Sequence, residues 1–297
     1  MNYLFGALLV ITSNIIIGVA NIFDGQLTRK TFSSVWSIVI ANGFVLIPIL
    51  PIMFFILRPE AITKPQFFIL LIISTVEFFY QFPYYSALRH ADTSVIASLF
   101  SIGKILIPIF AYFIVGEKLS LLQYIGFIII VLCSFAVTFK KVSLKPSKAL
   151  LYMIPVVIIL AFSSTLSKYG LNQIEWKTFY FYKYALSAPF YFFTFFIIKS
   201  ARSEVISFLK SPFKKSYAPL YVQNIATWVS GIFSTLALSL LPITIVKAFG
   251  SFHALIVHFI ASKGSKKLGV DNAEKLSKNR ILLFILIGIG VFLTFQK

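Results

Sequence analysis

The sequence predicts an all-α membrane protein of about ten transmembrane helices, arranged as two inverted repeats of five helices each. The first observation is composition: 59% of the 297 residues are hydrophobic and the mean hydropathy is +0.91. The second is the pattern of the chain, in which apolar runs long enough to cross a bilayer alternate with short polar connectors. The third is a weak internal similarity between the two halves.

Each predicted span ends at charged or turn-forming residues. The first five spans are Tyr3–Ala20, Ser34–Leu57, Gln66–Leu88, Thr93–Val115 and Leu119–Phe139. The second five are Ala149–Ser167, Trp176–Ile198, Tyr217–Leu240, Ile243–Ala261 and Ile281–Phe295. A basic connector over residues 141–148 separates the first repeat, residues 1–140, from the second, residues 149–297. We interpret the first span as a true helix and not a cleaved signal, because no side-chain cation precedes it.

The two halves share short matches near the end of the third and eighth spans. Ala87-Leu88 recurs as Ala237-Leu238, and Val95-Ile96 recurs as Ile245-Val246. Because each half has an odd number of spans, two related halves would lie in the membrane with opposite orientation. The sequence therefore favours an inverted repeat.

Composition also excludes several classes of function. The net charge is +18, but the cations lie in short loops and form no basic domain, so we do not expect nucleic-acid binding. The single cysteine, Cys133, allows neither an intrachain disulfide nor a cysteine metal cluster. His253 and His258 do not share a helix face as a metal pair would, and no catalytic or phosphate-binding motif is present. We expect no cofactor, no metal and no enzymatic activity.

One stretch carries a family resemblance. The residues from Ala87 to Ser98, followed by Pro108 and by Gly116-Glu117, resemble the signature of the EamA family of the drug/metabolite transporter superfamily. The resemblance implies ten helices in two inverted five-helix repeats, around a central cavity bordered by the third, fourth, eighth and ninth helices. The second half departs from the pattern, since Lys266-Lys267 replace Gly-Glu.

Ionisable residues inside spans are functional candidates because they are costly to insert into a bilayer. Lys104 shares one face of the fourth span with Ser101 and Pro108, at steps of three and four residues. This face suits a cavity wall. A purely structural alternative is that Lys104 pairs with Glu77 on the neighbouring helix.

Further candidates lie in the third, seventh and ninth spans. Lys183 takes a place where the family often carries an arginine, and it could contact substrate or support helix packing. Lys247 could line the cavity or reach lipid headgroups by snorkelling. The predicted substrate-binding set is Lys104, Ser101, Lys183, His253, Gln81, Tyr84, Tyr85 and Lys247.

These features favour a secondary transporter that moves a small metabolite by alternating access, with a coupled proton or an exchanged solute as a further partner. A membrane-embedded enzyme acting on lipid intermediates and a non-transporting scaffold remain alternatives. Exporters of lipophilic cations in the related small multidrug resistance family use a glutamate in the first helix, where this chain offers Thr12, Ser13 and Asn14. With Asp24 assigned to a loop, the lysines exceed Glu77 at membrane depth. An anionic, zwitterionic or neutral substrate is therefore expected.

The expected location is a multi-pass position in a bacterial inner membrane. Most Lys and Arg residues follow odd-numbered spans, so the positive-inside rule places both termini outside. The family resemblance suggests that both are inside. The two arguments leave the orientation open.

Overall fold

The computed structural model describes residues 2–138, 148–250 and 278–296. Throughout these ranges the regular structure is helical, without strands. The helices before the connector are α1 (Asn2–Gln26), α2 (Val35–Leu46), α3 (Leu50–Leu57), α4 (Lys64–Phe79), α5 (Gln81–His90), α6 (Thr93–Lys104), α7 (Ile107–Phe110) and α8 (Leu121–Thr138). Those after it are α9 (Lys148–Leu171), α10 (Trp176–Ile197), α11 (Lys199–Lys210), α12 (Ala218–Leu240), α13 (Ile243–Gly250) and α14 (Lys278–Thr294).

The distribution of polarity is that of a membrane protein. Large apolar side chains such as Phe55, Phe113 and Leu121 lie on the outside with at least 75% of their surface exposed. Polar side chains such as Asp24 and Asn42 are buried. In the described ranges, four helical stretches are long and apolar enough to cross a membrane by length and composition: Tyr3–Thr31, Val35–Leu57, Lys64–His90 and Lys148–Leu171.

Helices from the two halves of the chain pack against each other. Helix α1 runs along α12, α5 packs against α9, α10 packs against both α2 and α4, and α8 packs against α14. The contact between α8 and α14 is close because Gly126 and Gly290 face each other, and a Cβ atom added to Gly126 would lie 2.5 Å from the Gly290 carbonyl oxygen. The described helices of the two halves are therefore packed together in one bundle.

Three predicted spans are interrupted next to a proline. The second contains a 3-10 segment, Ile47–Ile49, which includes Pro48 and separates α2 from α3. The third breaks at Tyr80, between α4 and α5, three residues before Pro83. The fourth breaks after Lys104, where Pro108 has no N–H to donate to the Lys104 carbonyl. A π-helical segment, Ala111–Val115, then follows α7 and ends at Gly116, whose φ of 70° is left-handed.

The structure differs from the prediction at the end of the first span and in the loop after the seventh span. The first span does not end at Ala20, since α1 continues to Gln26 and a π-helical segment extends it to Thr31. The loop predicted after the seventh span contains α11, an amphipathic helix. Ala201, Val205 and Phe208 lie at helical spacing on its buried face, and Ala201 and Val205 pack with Ile40 of α2. The charged composition of this segment concealed its narrow apolar stripe.

Candidate functional site

A cavity of about 360 Å³ lies at the centre of the helices. Its wall is built from α1, α2, α4, α5, α6, α7, α9, α10, α12 and α13, so both halves of the chain contribute to it. The lining is rich in polar groups, which is unusual for the middle of an apolar bundle and marks a place where a polar solute can lose its water at low cost. Three groups of side chains define its chemistry.

The first group is an ion pair between Glu77 of α4 and Lys183 of α10. The Lys183 Nζ lies 3.2 Å from the Glu77 Oε2, and the side chains are 15% and 30% exposed, respectively. The Ser163 hydroxyl donates to the other carboxylate oxygen at 3.1 Å. Lys183 also lies 5.2 Å from the centroid of the Tyr184 ring, within cation–π range. This pair holds α4 and α10 together across the two halves.

The second group is the pair of lysines at Lys104 and Lys247. Lys104 is the last residue of α6, a position at which the helix dipole favours a cation. Its ammonium lies beside Gly250 and near Asn14, because a Cβ atom added to Gly250 would be 3.8 Å from Lys104 Nζ and 3.9 Å from Asn14 Oδ1. Both lysines line the cavity. The wall therefore carries two cationic side chains besides Lys183.

Glu77 does not pair with Lys104, contrary to the structural alternative drawn from the sequence. It pairs with Lys183, and within the described ranges no carboxylate lies at ion-pair distance from Lys104. The sequence placed Glu77 and Lys104 on neighbouring spans, but it could not show the rotation of each helix. That rotation turns Glu77 toward α10.

The third group, around Asp24, was missed by the sequence analysis. Asp24 is 4% exposed and lines the cavity from α1. Its two carboxylate oxygens accept hydrogen bonds from the hydroxyls of Tyr84 and Tyr85, each at 2.9 Å. Asn42 Nδ2 donates to the Tyr85 hydroxyl at 3.0 Å, and Asn224 Nδ2 donates to Asn42 Oδ1 at 2.8 Å. This network joins α1, α5, α2 and α12.

A signal for Asp24 was present in the sequence. Residues Val10, Asn14, Ile17, Asn21 and Asp24 follow one another at alternating steps of four and three, so they share one helix face, and all five line the cavity. Ending the first span at Ala20 assigned Asp24 to a loop and hid this stripe. The first helix therefore does carry an acidic residue, although the predicted span contained none.

Most of the predicted site residues meet in the cavity. Those that line it are Gln81, Tyr84, Tyr85, Lys104, Lys183 and Lys247. Gln81 Nε2 donates to the Tyr191 hydroxyl at 2.8 Å, which connects α5 to α10. Ser101 belongs to α6, but its side chain lies outside the described part of the structure, and His253 lies outside the described residues altogether.

Comparison with known proteins identifies part of this architecture. A model of the EamA-like transporter family matches residues 4–139. The chain carries an EamA domain. The family resemblance noted from the sequence is confirmed over these residues, and this family belongs to the drug/metabolite transporter superfamily. EamA proteins are transporters, which agrees with the expectation that the chain is not an enzyme.

Solved structures extend the likeness to the whole chain at the level of the fold. One crystal structure of a protein aligns with a TM-score of 0.59 and 14% identity, covering 95% of this chain and 96% of that one. A comparison with curated proteins gave no sequence match.

The Gly-Glu motif of the EamA domain has a clear structural role here. Gly116 adopts the left-handed conformation that ends the fourth span, and this turn presents the Glu117 carboxylate to the start of α13. The Glu117 oxygens accept hydrogen bonds from the backbone N–H groups of Ile243 at 2.7 Å and Thr244 at 3.0 Å. A carboxylate at a helix N-terminus satisfies donors that have no partner within the helix. The motif thus ties the EamA domain to the second half of the chain.

Proposed function

We propose that this protein is a secondary transporter that moves a small polar or ionic metabolite across a membrane by alternating access. The observation that carries the proposal is the central cavity, whose charged wall is contributed by both halves of the chain. Alternating access needs a binding site between two units that can rock against each other. A cavity of about 360 Å³ lies within the range typical of small-molecule sites.

Ten spans in two inverted five-helix repeats are part of this proposal, and the helix packing supports them. An inverted repeat relates the first span to the sixth and the third to the eighth. The packing of α1 against α12 then corresponds to the packing of α5 against α9, and both contacts occur. The contact of α2 with α10 and the contact of α8 with α14 would each lie on the pseudo-two-fold axis. Two related domains would then be residues 1–140 and 149–297.

The charges on the wall bear on the substrate. The wall carries three lysines, Lys104, Lys183 and Lys247, and two acidic residues, Glu77 and Asp24. Because of Asp24, the excess of positive charge in the cavity is smaller than the sequence predicted. Lys183 is compensated by Glu77. Among the described residues, Lys104 has no carboxylate at ion-pair distance. It supports a substrate with a carboxylate or another anionic group, since an ammonium group attracts an anion in a low-dielectric cavity. A metabolite anion or zwitterion fits this arrangement better than a lipophilic cation.

We place the protein in the inner membrane of a bacterium as a multi-pass protein, as the family resemblance implies. The candidate binding residues are the predicted ones: Gln81, Tyr84, Tyr85, Lys104, Lys183 and Lys247, which line the cavity, together with Ser101 and His253. An exchanged solute or a proton would drive the transport cycle.

Solute counterflow in proteoliposomes tests the proposal. Vesicles are loaded with pooled amino acids, organic anions, phosphorylated metabolites or lipophilic cations, and the entry of labelled solute is followed. We expect exchange with an anionic or zwitterionic pool, and we expect Lys104→Met to abolish it because the variant removes the ammonium group to which we assign the anion. Lys64→Met, at the exposed start of α4, serves as the control and should leave exchange unchanged.

Three results would count against parts of this proposal. Exchange confined to cations would overturn the assignment of substrate but keep the transporter. Normal exchange by well-expressed Lys104→Met would remove this lysine from the mechanism. Failure to exchange any pool would favour the non-transporting alternatives.

A further inference from the structure

Asp24 forms a site that differs from the rest of the cavity wall. We propose that its carboxyl group is the binding site for a proton that couples substrate movement to the transmembrane pH gradient. This inference rests on the proposed transport function and adds the coupling ion and its residue. It is carried by the geometry around Asp24, in which a nearly buried carboxylate faces a solute-sized cavity without a cation beside it.

The immediate contacts of the carboxylate are neutral hydroxyl groups. Tyr84 donates to one oxygen and Tyr85 to the other, each at 2.9 Å. Among the described residues, no Lys, Arg or His lies within ion-pair distance of Asp24. A carboxylate is expensive to bury without a counter-ion, whereas the neutral acid is far easier to bury. Binding and release of a proton therefore change the charge at this point of the wall by one full unit.

Titratable groups lie on all the elements that surround Asp24, and four of them have partners elsewhere. They are Tyr80, Tyr84, Tyr85, Arg89 and His90 on or beside α5, Glu77 on α4, Arg29 and Lys30 in the π-helical segment, Lys104 on α6, Lys247 on α13 and Tyr221 on α12. Arg29 pairs with Asp92 at 3.3 Å, and Arg89 donates to the Phe32 carbonyl at 3.4 Å. His90 stacks on Tyr152, and Glu77 pairs with Lys183.

The hydrogen-bond network links the proton site at Asp24 to the second half of the chain. Tyr85 is linked through Asn42 to Asn224 of α12. When Asp24 takes up a proton, the new O–H must find an acceptor, and one tyrosine hydroxyl must give up the oxygen that it now binds. The two amide side chains then reorient with it, because each is a donor at one end and an acceptor at the other. Protonation of Asp24 in α1 therefore changes the hydrogen bonding of Asn224 in α12, which belongs to the second half of the chain.

The step is a simple proton transfer without other chemistry. A hydronium ion from the cavity water gives one proton to the Asp24 carboxylate on the side of higher proton concentration, leaving water and a neutral carboxylic acid. After the cavity opens to the other side, the acid returns the proton to water. One proton moves per cycle, and the carboxylate is regenerated.

The experiment compares two assays on the same proteoliposomes, using the solute identified by counterflow. Counterflow at equal pH on both sides needs binding and reorientation but no net proton movement. Uptake driven by a pH gradient of one unit needs the proton site, and one coupled proton then supports accumulation of up to about tenfold. We expect the wild type to perform both reactions, with proton flux reported by a pH-sensitive dye trapped inside.

The decisive variant is Asp24→Asn, which keeps the shape of the side chain and loses the titrating group. We expect it to retain counterflow and to lose both gradient-driven accumulation and proton flux. Asp24→Glu, which restores a carboxyl group, should recover accumulation in part. Asp92→Asn, which changes an exposed carboxylate paired with Arg29, is the matched control and should keep full coupling.

Labelling of wild-type protein provides a test that needs no variant. An apolar carbodiimide reacts with protonated carboxyl groups in apolar surroundings, so we expect modification of Asp24, detected by peptide mass spectrometry, to decrease as the pH is raised. Exposed Asp92 should remain unlabelled. If Asp24 is not labelled at any pH, the proposal is wrong.

The other outcomes are equally distinct. Gradient-driven uptake by Asp24→Asn, or exchange by the wild type without any response to the gradient, would overturn the proton site while keeping the transporter. Loss of counterflow in folded Asp24→Asn would make Asp24 a substrate contact and would also overturn the inference. Absence of counterflow in the wild type would overturn the proposed function itself.

Discussion

The ion pair between Glu77 and Lys183 should contribute to stability in a way that depends on both partners. We consider the isosteric variants Glu77→Gln and Lys183→Met, singly and together. Each single variant leaves one charge in the cavity wall without its counter-ion, whereas the double variant leaves none. The double variant should therefore be no less stable than either single variant, although it carries both changes.

The magnitude follows from burial. Breaking a fully buried pair costs about 3–5 kcal/mol, but Lys183 and Glu77 keep 15% and 30% of their side-chain surface exposed to the cavity. Water in the cavity screens part of the interaction, so we expect about 2 kcal/mol for each single variant. At about 2–4 °C per kcal/mol, the midpoint of thermal unfolding would fall by about 4–8 °C. Asp92→Asn breaks the exposed pair with Arg29, and its effect should stay below about 1 kcal/mol.

The chain provides its own reporter for this assay. Cys133 is the single cysteine and is 9% exposed, so a fluorogenic thiol reagent reacts with it only when the helices separate. Unfolding of detergent-purified protein is followed by this fluorescence on heating, for the wild type, both single variants, the double variant and Asp92→Asn. If the two single losses simply add in the double variant, the pair is not coupled and the reasoning fails. Single losses no larger than that of Asp92→Asn would refute it equally.

Two further predictions use the same assay. Glu117→Gln replaces a charged acceptor of two backbone N–H groups at the start of α13 with a neutral one, and it should cost about 1–2 kcal/mol; an unchanged midpoint would show that these bonds do not hold the two halves together. Gly290→Ala would place a Cβ atom 2.8 Å from Ile130 and 3.0 Å from the Gly126 carbonyl oxygen, so it should separate α8 from α14 at a cost of about 1–3 kcal/mol. Gly288→Ala, where nothing lies within 4 Å of the added atom, is its control and should not destabilise the protein; equal losses in both variants would contradict the packing argument.

The helices could be predicted from the sequence because each depends on local properties. Apolar runs of sufficient length between polar connectors fix most spans, and prolines fix the breaks in the third and fourth. The end of α1 could not be found this way, since Asn21 and Asp24 look like the start of a loop. They remain helical because the cavity and the tyrosines of α5 provide partners for their polar groups. Tertiary contacts, not local composition, set that boundary.

Most charged members of the site could be predicted from the sequence, but Asp24 and the pairing of the charges could not. Intramembrane charges and a polar helix face pointed to Lys104, Lys183 and Gln81, and all three line the cavity. Which charges meet depends on the rotation of one helix against another, and hydropathy carries no information on rotation once a span is apolar all round. The partner of Glu77 therefore had to come from the structure.

The break in the fourth span bears on how the proposed binding site could move. Lys104 is followed directly by this break, which precedes Pro108. At such a point the backbone makes fewer hydrogen bonds than in a continuous helix, so the residue can change its orientation at a lower cost in free energy. In contrast, Glu117 fixes the far end of the fourth span to α13. The fourth span thus combines an anchored end with a helix break at its lysine. This arrangement would suit the rocking motion that we propose.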